Sequence, residues 1–117
     1  MLFGTIIANN SDFAFFLADL FVGPVQYGNR TALCSFLQSI ENLSISNKFV
    51  KLAEYTKDSH SLASYDRDSL RNEEIVPSKS SRQWTYQYCT EFGYFQTPYN
   101  NLNMRSKLLT YNFWTDY

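Results

Sequence analysis

The chain's one histidine, His60, stands in the polar stretch Asp58-Ser59-His60-Ser61. A serine-hydrolase triad needs an imidazole held by a carboxylate and aimed at a hydroxyl on a strained turn. Adjacency in sequence supplies neither, so His60 reads as a solvated surface side chain. The sequence contains no Gly-x-Ser-x-Gly elbow and no glycine-rich phosphate loop of the GxGxxG or Walker type, so no residue is given a catalytic role. The acids Asp12, Asp19, Glu54, Asp58, Glu73, Glu74 and Glu91 are scattered, and Glu73-Glu74 is most simply a solvated pair. Asp19 interrupts an apolar helical stripe. It either faces water, the simpler reading, or hydrogen-bonds a neighbouring element. Glu91 follows a run of aromatic residues, where an acid is expected to be partly buried and to need a partner. It is a candidate for a structural role or for substrate contact, and not by itself for catalysis.

Cys34 and Cys89 are 55 positions apart, which excludes a CxxC metal or redox motif. A bridge between them, two buried thiols, or a bridge from each to a cysteine outside the chain all fit the sequence. Neither a metal nor a cofactor is expected. Three Asn-x-Ser/Thr sequons make Asn9, Asn29 and Asn42 glycosylation candidates, and together they favour an extracellular or lumenal setting.

Composition narrows the classes. Ten Phe, nine Tyr and two Trp make 18% of the 117 residues. Each can bury roughly 150–250 Å², more than a free-standing helical domain of this size needs. Either the core is rich in aromatics or, the favoured reading, some of these rings pack on protein outside the chain. Net charge is −1 and no basic stripe appears, which argues against nucleic-acid binding. No apolar run approaches the ~20 residues of a membrane span. Met1 to Asn10 carries no Lys or Arg and is broken at Gly4, so it does not read as a signal peptide.

The elements that would position these residues follow from periodicity. Ser11 and Asp12 predict a helix start, with Phe13, Phe16, Leu17, Leu20 and Phe21 on one wide apolar face. Gly23-Pro24 is expected to end it. Thr31 is expected to cap a second helix with Leu33, Phe36, Leu37 and Ile40 inward. Ser46 is expected to cap a third, with Phe49, Val50, Leu52, Ala53 and Tyr55 as its stripe. The chain turns polar from Thr56 to Ser81, with a short turn expected around Tyr65 to Leu70. Trp84, Tyr86 and Tyr88 then alternate with Thr85, Gln87 and Cys89, a period of two that predicts a strand over 84–90. Gly93 and Pro98 delimit a loop, and Asn103 is expected to cap a final helix carrying Met104, Leu108, Leu109, Tyr111 and Trp114.

The run Arg82-Gln83-Trp84-Thr85-Tyr86-Gln87-Tyr88-Cys89-Thr90-Glu91-Phe92-Gly93-Tyr94-Phe95-Gln96-Thr97 resembles a long signature, W-x-Y-Q-x-C-T-E-F-G-Y-x-Q-T. It is that of the serine peptidase family that includes lysosomal Pro-Xaa carboxypeptidase, dipeptidyl peptidase II and thymus-specific serine protease. The likeness is closest to the thymus-specific branch. Leu2-Phe3-Gly4, Ser11-Asp12-Phe13, Phe16-Leu17-Ala18-Asp19 and Gln26-Tyr27-Gly28-Asn29 through Leu33-Cys34 agree with the same family in the same order. Tyr88 departs from the small residue usual there.

The resemblance implies a mainly α fragment: the helical cap of an α/β-hydrolase, one core strand and a following helix. Residues 1–64 would be the cap segment, 65–81 a polar linker and 82–117 the return into the core. The parent would be a secreted or lysosomal (vacuolar) serine exopeptidase acting on short peptides. Its nucleophile elbow would lie before this segment and its Asp and His after it, leaving the segment without the triad. Cys34 and Cys89 would bond to cysteines outside the chain, Cys89 to one just after Tyr117. Two other readings stand beside this one: a stand-alone helical interaction module using helix 12–22 as its binding face, and a catalytically inactive relative.

Overall fold

A computed structural model describes residues 9–57, 65–99 and 105–116. His60, Asn103 and Met104 lie outside the described residues. Among those described, the structure is helical and holds no strand. Helix α1 spans Asn10–Gln26, α2 Arg30–Ser39, α3 Ile45–Thr56, α4 Arg67–Leu70, α5 Ser81–Gln87 and α6 Tyr111–Thr115. A π-helical turn, Tyr88–Phe92, continues α5.

Helix α1 is the centre of the fold, because it is apolar on two faces rather than one. Phe16 and Leu20 pack with Leu52 of α3, and Phe13, Leu17, Phe21, Phe36 and Tyr65 close around them. This is the stripe legible at helical spacing. On its other side Ala14, Phe15 and Ala18 meet Leu109, Phe113 and Trp114 from the C-terminal region, with Phe95 beside them. A helix apolar on both sides is buried between layers instead of lying on a surface. Much of the aromatic excess is spent here, on edge-on pairs such as Phe15–Trp114 at 5.0 Å and Phe15–Tyr65 at 5.3 Å. A further stack, Phe36 on Tyr55 at 4.1 Å, ties α2 to α3.

The helix ends differ from the sequence expectation by a few residues. Asn9, not Ser11 or Asp12, caps α1: its Oδ1 accepts the Ser11 N–H at 2.8 Å. Ser44, not Ser46, caps α3 by accepting the Asn47 N–H at 3.3 Å, and α2 begins at Arg30 without a side-chain cap. Helix α1 also runs through Gly23-Pro24 to Gln26. Pro24 sits in the last turn, where its missing N–H costs a single bond toward Leu20. The stop comes at Gly28, whose φ of 87° is the left-handed conformation glycine adopts freely. It lets the Asn29 N–H reach back to the Pro24 carbonyl at 2.9 Å, the six-to-one closure common at helix ends.

The expected strand at 84–90 is a correction. Residues 81–87 form α5 and 88–92 the π turn. A strand needs a neighbour for its backbone donors and acceptors, and none is offered among the described residues. A helix satisfies those groups internally and brings Trp84 against Tyr88 at 6.0 Å, one turn on. The period-two reading put Trp84, Tyr86 and Tyr88 on one face. In the helix only Tyr88 is buried, while Trp84 and Tyr86 are 52% and 63% exposed. The final helix is also shorter than expected. It begins at Tyr111 with Thr110 as its cap, the hydroxyl accepting the Phe113 N–H at 3.3 Å. The short turn expected near Tyr65 to Leu70 is α4.

Candidate functional site

An open cleft of ≈ 1280 Å³ runs between the second half of α1, the polar stretch after α4, and α5 with its π turn. Phe15, Tyr65, Trp84, Tyr88, Tyr94 and Trp114 supply aromatic wall, and Asp19, Arg71, Glu73 and Arg82 supply charge. The polar segment thus lines the cleft and also holds α1 in place.

Two contacts do that holding. The Tyr65 hydroxyl donates to Asp19 Oδ2 at 3.1 Å. Asp19 therefore does not simply face water: it is half-buried and its partner comes from the polar segment. Burial, reinforced by the Asp19 charge, pushes the Tyr65 hydroxyl pKa well above its usual range. The group stays a proton donor at any physiological pH. Deeper in, Arg67 Nη2 reaches Asp12 Oδ1 at 2.6 Å, and its guanidinium lies 4.8 Å from the centre of the Phe113 ring. Asp12 is fully buried, and its Oδ2 has no hydrogen-bond partner. Desolvation raises its pKa, against the lowering effect of Arg67. Arg71 completes the group by pairing with Asp116 at 2.8 Å and donating from Nε to the Asp116 carbonyl at 2.8 Å.

The other residues singled out from the sequence fall as follows. Glu91, expected to be partly buried, is exposed on the π turn and does not border the cleft. Cys89 does border it, half-buried, and burial pushes its thiol pKa up, away from the reactive thiolate. Cys34 is exposed on α2, and among the described residues no bridge joins it to Cys89. Asn9, Asn29 and Asn42 are all exposed. Among the described residues no three His, Cys, Asp or Glu side chains converge as metal ligands would, and no helix is long and apolar enough to cross a membrane. Sequence reasoning missed Tyr65, Arg67 and Arg71. Their one signal was the alternation of acidic and basic residues from Asp66 to Arg71, which reads equally well as a solvated loop.

The cleft joins aromatic surface to a few charged side chains. The family model for serine carboxypeptidase S28 matches residues 21–117. The chain belongs to this family of serine peptidases. It is 30% identical over 113 residues to a probable serine protease, EDA2, of Arabidopsis thaliana, in a match covering 92% of this chain. The chain spans 23% of that relative's length. No solved structure matches the chain.

Proposed function

We propose that the chain is a segment of a serine-type exopeptidase that trims short peptides, with proline beside the scissile bond as one preference. The observation that carries this reading is the family match over 21–117, set beside the 23% share of the plant relative's length that the chain spans. Within the family, the run from Trp84 to Thr97 favours the thymus-specific branch. The parent has an α/β-hydrolase core, with residues 1–64 in its helical cap, 65–81 as the polar linker and 82–117 returning to the core. The triad lies in the parts of the parent outside this segment. The segment's work is to wall the peptide cleft and limit it to small substrates, with Asp19 and Tyr65 on one side and Trp84 and Tyr88 on the other. Glu91, exposed on the π turn outside this cleft, would meet substrate only through a surface that the rest of the parent completes. Cys34 and Cys89 bond to cysteines outside the chain, in a secreted or lysosomal setting where disulfides persist.

The reading as a stand-alone interaction module loses its proposed surface, because Phe16 and Leu20 of helix 12–22 are 1% exposed. The test is enzymatic. The 117-residue chain and a full-length protein containing it are assayed on fluorogenic Xaa-Pro and Pro-Xaa peptides. Turnover by the full-length protein alone is expected. Turnover by the 117-residue chain that disappears in His60→Ala would place the machinery in this segment and overturn the reading.

A further inference from the structure

The three Asn-x-Ser/Thr acceptors are treated differently by the fold. Asn9 is built into the start of α1, where its Oδ1 caps the helix. Its side chain borders a concavity with Leu108, Thr110 and Asn112, so a sugar there competes for the space beside α6. Asn29 stands in the turn between α1 and α2, exposed and making no capping bond with its side chain. Its position is held by its backbone N–H, which donates to Pro24. Asn42 lies in the connection from α2 to α3. It too is exposed, and its whole tripeptide is outside helix, with Ser44 extended at φ −59° and ψ 155°. Asn29 and Asn42 thus stand just beyond the two ends of α2, which is ten residues long, about 15 Å at 1.5 Å per residue. Between them Thr31, Ser35 and Gln38 are exposed, while Leu33 is buried.

We propose that Asn29 and Asn42 carry N-linked glycans, that Asn9 does not, and that the outer face of α2 is the carbohydrate-bearing, solvent-facing side of the protein. The proposal rests on the lumenal setting given above. In the transfer, Asn Nδ2 attacks C1 of a lipid-pyrophosphate-linked oligosaccharide. The N–C1 bond forms and the C1–O bond breaks. The amide proton leaves to a base of the transferase, and the lipid pyrophosphate departs with the electron pair. The Thr31 and Ser44 hydroxyls complete the acceptor motif. A bulky, solubilising glycan at each end of α2 keeps Asn29 and Asn42 themselves in solvent.

The test uses the full chain, secreted from eukaryotic cells behind a cleavable leader and carrying one control acceptor sequence at its C-terminus. Enzymatic deglycosylation converts each modified Asn to Asp, which peptide mass spectrometry locates. Conversion is expected at Asn29 and Asn42 and not at Asn9. Asn29→Gln and Asn42→Gln should each remove one mobility step, and Asn9→Gln none. Modification at Asn9 overturns the proposal. So does an unmodified Asn29 or Asn42 in molecules whose control acceptor is modified. The leader forces lumenal entry, so this outcome is separate from where the natural protein resides, which membrane fractionation of the untagged protein reads independently.

Discussion

Arg67 and Asp12 are 55 residues apart in sequence and 2.6 Å apart in space. Through this pair a side chain of the polar segment grips the first turn of α1, while the same guanidinium rests on Phe113 of α6. The side chains of Arg67 and Asp12 are 17% and 1% exposed, so the pair is a buried one. Breaking such a pair by removing one partner leaves an uncompensated buried charge, which typically costs about 3–5 kcal/mol. Arg67→Met is expected to lose that much in denaturant unfolding, and Arg67→Met with Asp12→Leu to recover most of it. A double variant no more stable than Arg67→Met would show that the pair is not what fails.

The pH dependence at Asp12 has a definite sign. Its pKa in the folded chain is raised above 3.8 by desolvation. The folded state therefore takes up this proton before the unfolded state does as pH falls. Its contribution to stability grows from the raised pKa down to 3.8 and is lost as pH rises through that window. Asp12→Asn, which never titrates, leaves Arg67 without its charged partner at every pH, and it is expected to lose stability relative to wild type as pH falls through that window, where wild type gains the proton. Parallel midpoints at every pH would refute this.

Tyr65 joins aromatic packing to one charge-assisted hydrogen bond, and the two can be separated. Tyr65→Phe keeps the ring against Phe15 and Phe16 but removes the donor to Asp19. Hydrogen bonds to charged groups contribute about 1.5–3 kcal/mol, and a loss toward the lower end is expected at this half-buried site. A double-mutant cycle with Asp19→Asn checks it, with coupling near zero as the contrary result.

Gly93 ends the π turn at φ 59°, and a Cβ built there meets nothing within 4 Å. The cost of Gly93→Ala is therefore one of backbone conformation alone, about 1–2 kcal/mol. Gly93→Asn, which tolerates the left-handed region better, should cost less. Equal losses in the two thermal melts would mean that the turn is held by something other than its backbone.

The two thiols should differ in reactivity in the native chain. Cys34 is exposed, and Cys89 is half-buried with its thiolate disfavoured by burial. Alkylation followed by mass spectrometry should label Cys34 first, with the difference vanishing in denaturant.

By itself the sequence determined the local matters. The spacing of Phe13, Phe16, Leu17, Leu20 and Phe21 marked α1 and its inner face, because helical periodicity depends on the order of residues alone. The run from Trp84 to Thr97 marked the family in the same way. Tertiary structure decided the rest. The alternation over 84–90 fits a strand or a helix equally well, and what settles it is whether a neighbouring strand exists to take up the backbone hydrogen bonds. The second face of α1, through Ala14, Phe15 and Ala18, was hidden because its cover comes from Leu109 to Trp114. Asp12 and Asp19 were hidden for the same reason: their partners Arg67 and Tyr65 lie 55 and 46 residues away. An acid on an apolar helix is in water or in a pair depending on what packs over it, and chain folding, not local order, brings that partner in.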